Sequence, residues 1–158
     1  MVDSRNKGKR GERDAVTFLK GCGFSRAFRA QQFRGTSESG DVIIPELPLI
    51  HVEVKYRFTM KIGGKVLADA TTQAQRDANG AKAPVVLWRV NHDKTWKLTY
   101  YDDQLLIWPT IASRRGTQRV LLYLNNKMAK QIARDSVIQP MDCVTAKTRR
   151  KEKDIIVS

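Results

Sequence analysis

Two cysteines in 158 residues, Cys22 and Cys143, are too few and too far apart for a disulfide framework or a zinc module. No apolar run approaches the ~20 residues that span a bilayer. The N-terminus is charged, no apolar signal segment follows it, and no lipidation motif is visible. Internal repeats and low-complexity linkers are missing too. These features lead us to expect one domain in a reducing cytoplasm, without a membrane partner. Acidic residues are scarce against basic ones: 16 Asp and Glu face 29 Lys and Arg, a formal net charge of +13 with a pI near 10.1. Such a field favours polyanions, nucleic acid before an anionic membrane surface.

What is present reads as a folded α/β chain. The hydrophobic share of 41% and charged share of 28% are ordinary, and the length allows a buried core. From Lys7 to about Cys22, apolar residues recur at helical spacing until Gly21 and Gly23 stop them. Glu12, Ala15, Val16 and Leu19 stand at i, i+3, i+4 and i+7, which puts Glu12 on or beside the core-facing stripe. Acids rarely sit there without a partner. A strand is expected over Ser25 to Phe33, then a turn-rich loop from Arg34 to Gly40. Two β-like runs follow, Asp41–Ile44 and Leu49–Lys55, joined through Pro45 and Pro48. Asp69 is read as the N-cap of a helix running to Asn79, with Gly80 as its stop. Ala83–Trp88 reads as a buried strand, paired in a hairpin with Trp96–Tyr101. Beyond it, a short helix is expected over Asp102–Trp108, a strand over Val120–Leu124 and a helix over Lys127–Arg134. The domain is placed at residues 1–146, with a core at about 5–101 and an extension at 102–146. Residues 147–158 form a basic tail, flexible by expectation, in which the run Lys147–Lys153 either grips DNA or keeps the chain soluble.

The strongest chemical signal lies on the second β-like run. Successive strand residues alternate faces, so His51, Glu53 and Lys55 share one surface, with Glu53 and Lys55 ~7 Å apart. Asp41 opens the preceding strand, within reach of the same place. Hard divalent cations such as Mg²⁺ take oxygen ligands and keep several waters, so one or two carboxylates suffice. Phosphodiester hydrolysis uses such an ion to polarise a phosphoryl oxygen and acidify a bound water. On this reading Asp41 and Glu53 hold the metal, the Val54 carbonyl is a further ligand, and Lys55 handles the nucleophile. The bland alternative is a solvated Glu-x-Lys salt bridge beside a turn aspartate. Phosphate contacts come mostly from Arg and Lys. The first candidates are Arg5, Lys7, Lys9, Arg10 and Arg13, followed by Arg29 and Arg34. His51, His92, Trp88, Trp96 and Trp108 are read as structural, the tryptophans as core or dimer-interface anchors.

Gly40-Asp41 followed by Glu53-Val54-Lys55 resembles the PD-(D/E)xK nuclease signature, with glycine where that pattern has proline. Lys7-Gly8-Lys9-Arg10-Gly11-Glu12-Arg13 resembles the opening of archaeal-type Holliday junction resolvases, which also occur in bacteriophages. The Ser37-x-Ser39-Gly40-Asp41 loop and the segment Thr72–Arg76 with Pro84–Leu87 are similar to later parts of that family. The resemblance spans about Lys7 to Arg89. It implies a restriction-endonuclease-like α/β core with a mixed central β-sheet flanked by helices. It also implies a homodimer, and Mg²⁺-dependent (or Mn²⁺-dependent) paired nicking of four-way DNA junctions. Carried over by position, Glu12, Asp41, Glu53 and Lys55 form the catalytic group, with Glu12 also near the metal. Arg13 and Ser39 position DNA, and Gln73 assists, with Gln75 an alternative at the same helix position. Two other readings stay open: a restriction or repair nuclease acting on linear or branched DNA, and a non-catalytic basic DNA-binding protein.

Overall fold

In the computed structural model, residues 4–30, 40–102, 106–111 and 113–151 are described. Helix α1 (Ser4–Gly21) leads into two short strands, β1 (Phe28–Arg29) and β2 (Val42–Ile43), and the long strand β3 (Ile50–Arg57). Helix α2 (Lys65–Ala78) then crosses to β4 (Ala83–Val90), which is followed by β5 (Lys97–Asp102), β6 (Leu106–Ile111) and helix α3 (Arg114–Lys151). The strands form one sheet in sequence order. Every neighbouring pair is antiparallel except β3–β4, which is parallel. A parallel pair needs a long crossover, and α2 supplies it. The fold is therefore α/β with a mixed central sheet flanked by helices, compatible with a restriction-endonuclease-like core.

Strand β3 is buried on both faces over its first five residues. Ile50, Val52 and Val54 join Ala15 and Leu19 of α1 in the larger core cluster. The opposite parity faces α2: Glu53 pairs in register with Val86 and Lys55 with Trp88, and both partners pack with Leu67, Ala70 and Ala74. A central parallel strand covered on both sides is the setting in which continuous apolar runs are expected. Here Glu53 interrupts the run at 3% exposure.

Helix α1 lies close to the sheet because of Gly11. Gly11, Ala15 and Leu19 make its buried line, and a Cβ on Gly11 would stand 2.5 Å from the Tyr56 Cβ. Arg89 of β4 strengthens the same contact. It donates to Asp14 of α1 at 2.8 Å and lies 5.0 Å from both the Tyr56 and Trp96 rings.

Several expectations change. Helix α2 starts at Lys65 behind Gly64, whose side-chain-free N-cap makes no cap bond, so Asp69 is an exposed residue inside the helix rather than its cap. The buried stripe begins at Leu67, and that packing draws the helix a turn further back. Its end agrees with the sequence: Asn79 is left-handed and donates to the Gln75 and Arg76 carbonyls, and Gly80 has φ +69. The helix expected over Asp102–Trp108 is instead the end of β5 and the start of β6, which pair from Lys97↔Ile111 to Asp102↔Leu106. Pro109 falls in that outer strand, where a missing N–H is tolerated. The strand expected at Val120–Leu124 and the separate helix at Lys127–Arg134 are one helix, α3. Thr117, Leu121 and Leu124 are buried at helical spacing, while Leu122 and Tyr123 are 42% and 50% exposed. A short apolar run fits either period, and burial decides for the helix. Backbone 147–151 continues α3, whereas residues 152–158 lie outside the described residues. Of the strand expected at Ser25–Phe33, only Phe28–Arg29 is strand, Ser25 and Arg26 forming a turn before it, and 31–33 lie outside the described residues. Trp88 and Trp96 are buried as expected. Among the described residues no helix is long and apolar enough to cross a membrane.

The two glycines of α1 give opposite expectations. Nothing lies within 4 Å of a Cβ built on Gly8, so Gly8→Ala stabilises the protein by up to ~1 kcal/mol through helix propensity. Gly11→Ala destabilises it by about 1–3 kcal/mol, because the overpacked α1 must lift from Tyr56. Thermal denaturation of the two variants checks this, and a raised Tm for Gly11→Ala would contradict the close approach.

Candidate active site

Strand β2 pairs with β3 at Val42↔Val52. Continued by one residue, that antiparallel register sets Asp41 level with Glu53, so two carboxylates meet across neighbouring strands. Gly40 makes this approach sterically possible: a Cβ there would stand 2.5 Å from the Val52 carbonyl oxygen and 3.0 Å from its nitrogen. The Asp41 Oδ2 accepts the Val54 N–H at 2.8 Å, so the carboxylate takes the place of a backbone acceptor just before β2 begins.

Lys55 Nζ donates to Glu53 Oε1 and, at 3.2 Å, to Gln73 Oε1 of α2. The strand parity read from the sequence is therefore the observed one. Of the two glutamines open at that helix position, Gln73 is the one that meets Lys55. Glu12 reaches in from α1, its Oε2 accepting from Arg29 Nε of β1. Glu12, Asp41, Glu53, Val54, Lys55 and Gln73 line one open cleft of about 600 Å³. Lys7, Gly8 and the run from Tyr56 to Thr59 complete the lining.

Electrostatics set this cluster apart from an ordinary salt bridge. Burial, then the negative charge of Glu53, push the Asp41 carboxyl up to about 7; Glu12 adds to this, and the Val54 N–H and Lys55 only partly offset it. Glu53 is likewise raised, first by burial and also by Asp77 and Glu12, against the hydrogen bond and charge of Lys55. Three carboxylates thus converge where one ammonium and one guanidinium do not neutralise them. Such an excess of oxygen donors and negative charge fits a hard divalent cation.

Not every expected phosphate contact belongs to the cleft. Lys7 does: its ammonium lies 5.5 Å from the Tyr56 ring and 5.9 Å from the Phe58 ring. Arg10 and Arg13 are exposed on α1 and Lys9 is half-buried, while Arg29 is engaged by Glu12. Arg34 and Ser39 lie outside the described residues. The sequence reading missed Tyr56 and Arg57, which end β3 past the motif and which strand length alone would have supplied, and Phe58 and Thr59, which follow the strand. It also set His51 aside as packing and overlooked Asp77. His51 is 2% exposed, and burial lowers its pKa, with Lys82 lowering it further and Asp77 opposing. The imidazole is therefore neutral at pH 7. Donor atoms of His51, Glu53 and Asp77 lie within 4.8 Å of one another.

Comparison with protein-family models, curated proteins and solved structures found no match for this chain.

Folded Asp41 keeps its proton to about 7, whereas an unfolded aspartate loses it near ~3.9. Across that window the folded state binds more protons, so stability of the metal-free protein falls as pH rises through it. Asp41→Asn retains an acceptor for Val54 N–H without the charge. In metal-free buffer it should raise Tm at pH 8, with the advantage shrinking towards pH 5. Equal Tm at both pH values, or a loss at pH 8, would show that the carboxylates do not repel as described.

Proposed function

We propose that this chain is a divalent-metal-dependent DNA endonuclease that resolves four-way junctions by paired phosphodiester hydrolysis, acting as a homodimer in the cytoplasm. The observation that carries the proposal is the convergence of Glu12, Asp41 and Glu53 with Lys55 and Gln73 in one open cleft. A pure phosphate binder gains nothing from acids brought together beside a chain of net charge +13. Converging carboxylates repel the DNA backbone unless a cation lies between them. The reading of junctions as substrate, and of a dimer, is supported by the resemblance of the Lys7–Arg13 and Asp41…Lys55 motifs to the junction resolvases.

Asp41 and Glu53 would hold Mg²⁺ or Mn²⁺, with the Val54 carbonyl and Glu12 beside them. Bound there, the ion supplies Lewis acidity at a phosphoryl oxygen and acidifies a water. The chain's own residues do the rest. The Val54 N–H fixes the Asp41 carboxylate, leaving its other oxygen for the cleft. Glu53 and Gln73 hold the Lys55 ammonium from two sides, which places a fixed positive charge where the attacked phosphate gains negative charge. Arg29 keeps Glu12 turned into the site. Lys7, raised on the Tyr56 and Phe58 rings at the cleft wall, meets the flanking phosphate, and the exposed Arg10 and Arg13 extend the basic face along α1.

End-labelled four-way junction, Y-fork and linear duplex, incubated with and without Mg²⁺, test this reading. Wild-type protein should place symmetric nicks in opposing junction strands only with Mg²⁺. Asp41→Asn should bind the junction and lose on the order of 100-fold or more in cutting, since removing a ligand exceeds the usual effect of removing its support. Lys55→Ala should lose about 10²–10³-fold. Binding should weaken steeply with salt. Equal cutting of linear duplex would leave a nuclease without junction selectivity, and full activity in Asp41→Asn would overturn the site.

A further inference from the structure

On the α2 side of β3, one turn of helix away from the Gln73–Lys55 contact, stand His51 and Asp77, two side chains that the proposed nuclease chemistry does not use. His51 is buried, yet neither Nδ1 nor Nε2 has a hydrogen-bond partner among the described residues. A buried polar group without a partner is costly and calls for an explanation such as a bound water or ion. Asp77 stands opposite on α2, four residues after Gln73 and therefore on the same helix face. Arg76 Nε occupies its Oδ1 at 3.1 Å, and the carboxylate keeps a second oxygen. Glu53 stands two residues from His51 along the same strand face, and donor atoms of all three lie within 4.8 Å of one another.

We infer that His51, Glu53 and Asp77 form a second cation site, selective for a transition-metal divalent ion of the Zn²⁺ or Co²⁺ class over Mg²⁺. The donor set decides the class. Imidazole nitrogen suits borderline ions such as Zn²⁺, whereas Mg²⁺ takes oxygen ligands and tolerates little departure from an octahedral shell. The span is close to what is needed. Ligands at ~2.1 Å from a tetrahedral ion lie about 3.4 Å apart, and the donor atoms fall within 4.8 Å of one another. Side-chain rotations that bring them together by up to about 1.4 Å close the site. One nitrogen and two carboxylates make three protein ligands, leaving a fourth position for water.

The position gives the ion a role. His51 and Glu53 belong to β3 and Asp77 to α2, so a bound ion clamps the crossover helix onto the central strand. Gln73, one turn back on α2, is then held against Lys55. The site shares Glu53 with the proposed nuclease centre, but its occupancy does not depend on that reading and is measured without DNA.

The chain contains two histidines, His51 and His92, and the exposed His92 is a built-in control. Titration of ¹⁵N-labelled protein with Zn²⁺ should give the large ring-nitrogen shift of direct coordination at His51 and leave His92 in place, while Mg²⁺ gives no such shift at either. Asp77→Asn, which keeps the size and shape of a half-buried side chain, should weaken Zn²⁺ binding about tenfold or more. Asp41→Asn should bind Zn²⁺ through His51 as wild type does, which separates this site from the nuclease centre. A protein that shows the His51 shift yet cuts no DNA would keep this site and lose the nuclease reading. Unchanged His51 resonances at saturating Zn²⁺ would identify a buried imidazole solvated by water and overturn the inference. Wild-type Zn²⁺ affinity in Asp77→Asn would overturn it as well.

Discussion

The hydrogen bond from the Val54 N–H to the Asp41 carboxylate, 2.8 Å long, ties the chemistry to the fold. It stands just before β2 begins, where the backbone ladder would otherwise continue, so a carboxylate completes the sheet's hydrogen bonding. The bond needs the chain at Gly40 to pass against the Val52 backbone without a Cβ, and it needs β3 to be held straight by α1 and α2 on its two faces. Once Asp41 is anchored, Glu53 follows from the register and Lys55 from the alternation of β3. Glu12 follows from the close seating of α1 on Tyr56. Each of these placements is a packing consequence, and together they crowd three negative charges into a partly buried cleft.

That crowding opposes folding. A chain could remove it with one Asn or Gln and lose no core packing. Here the raised Asp41 and Glu53 carboxyls store repulsion that a divalent cation would relieve, a stability cost of the kind active sites carry. Around the acids the field reverses, with Lys7 on its aromatic ledge and Arg10 and Arg13 along α1. On the proposed reading, a polyanion drawn by the outer charge would meet the converging acids at the cleft, where a cation would mediate the contact.

Much of this was legible from residue order. The period-2 pattern of Leu49–Lys55 placed His51, Glu53 and Lys55 on one face, and the helical stripe of α1 put Glu12 beside the core. The hairpin of β4 and β5 and the Asn79–Gly80 stop of α2 were also readable, because local rules decide them. What escaped depends on contacts distant in sequence. Val120–Leu124 looks like a strand until Thr117, Leu121 and Leu124 are seen packed as a helix face. The start of α2 was misread because Asp69 is a good cap, yet Leu67 is needed in the core. Asp77 and His51 are 26 residues apart, and nothing local announces that α2 brings them together.

The central claim is that Asp41 and its neighbouring carboxylates are held for a cation. Calorimetric titration of Mg²⁺ into the DNA-free protein tests it most directly, in buffers of different ionisation enthalpy, at pH 6 and pH 8.5. Since the Asp41 carboxyl titrates at about 7, binding should release protons at pH 6 and almost none at pH 8.5. Asp41→Asn should abolish both the release and most of the affinity. Mg²⁺ binding of equal strength in Asp41→Asn, or binding at pH 6 without proton release, would contradict the account.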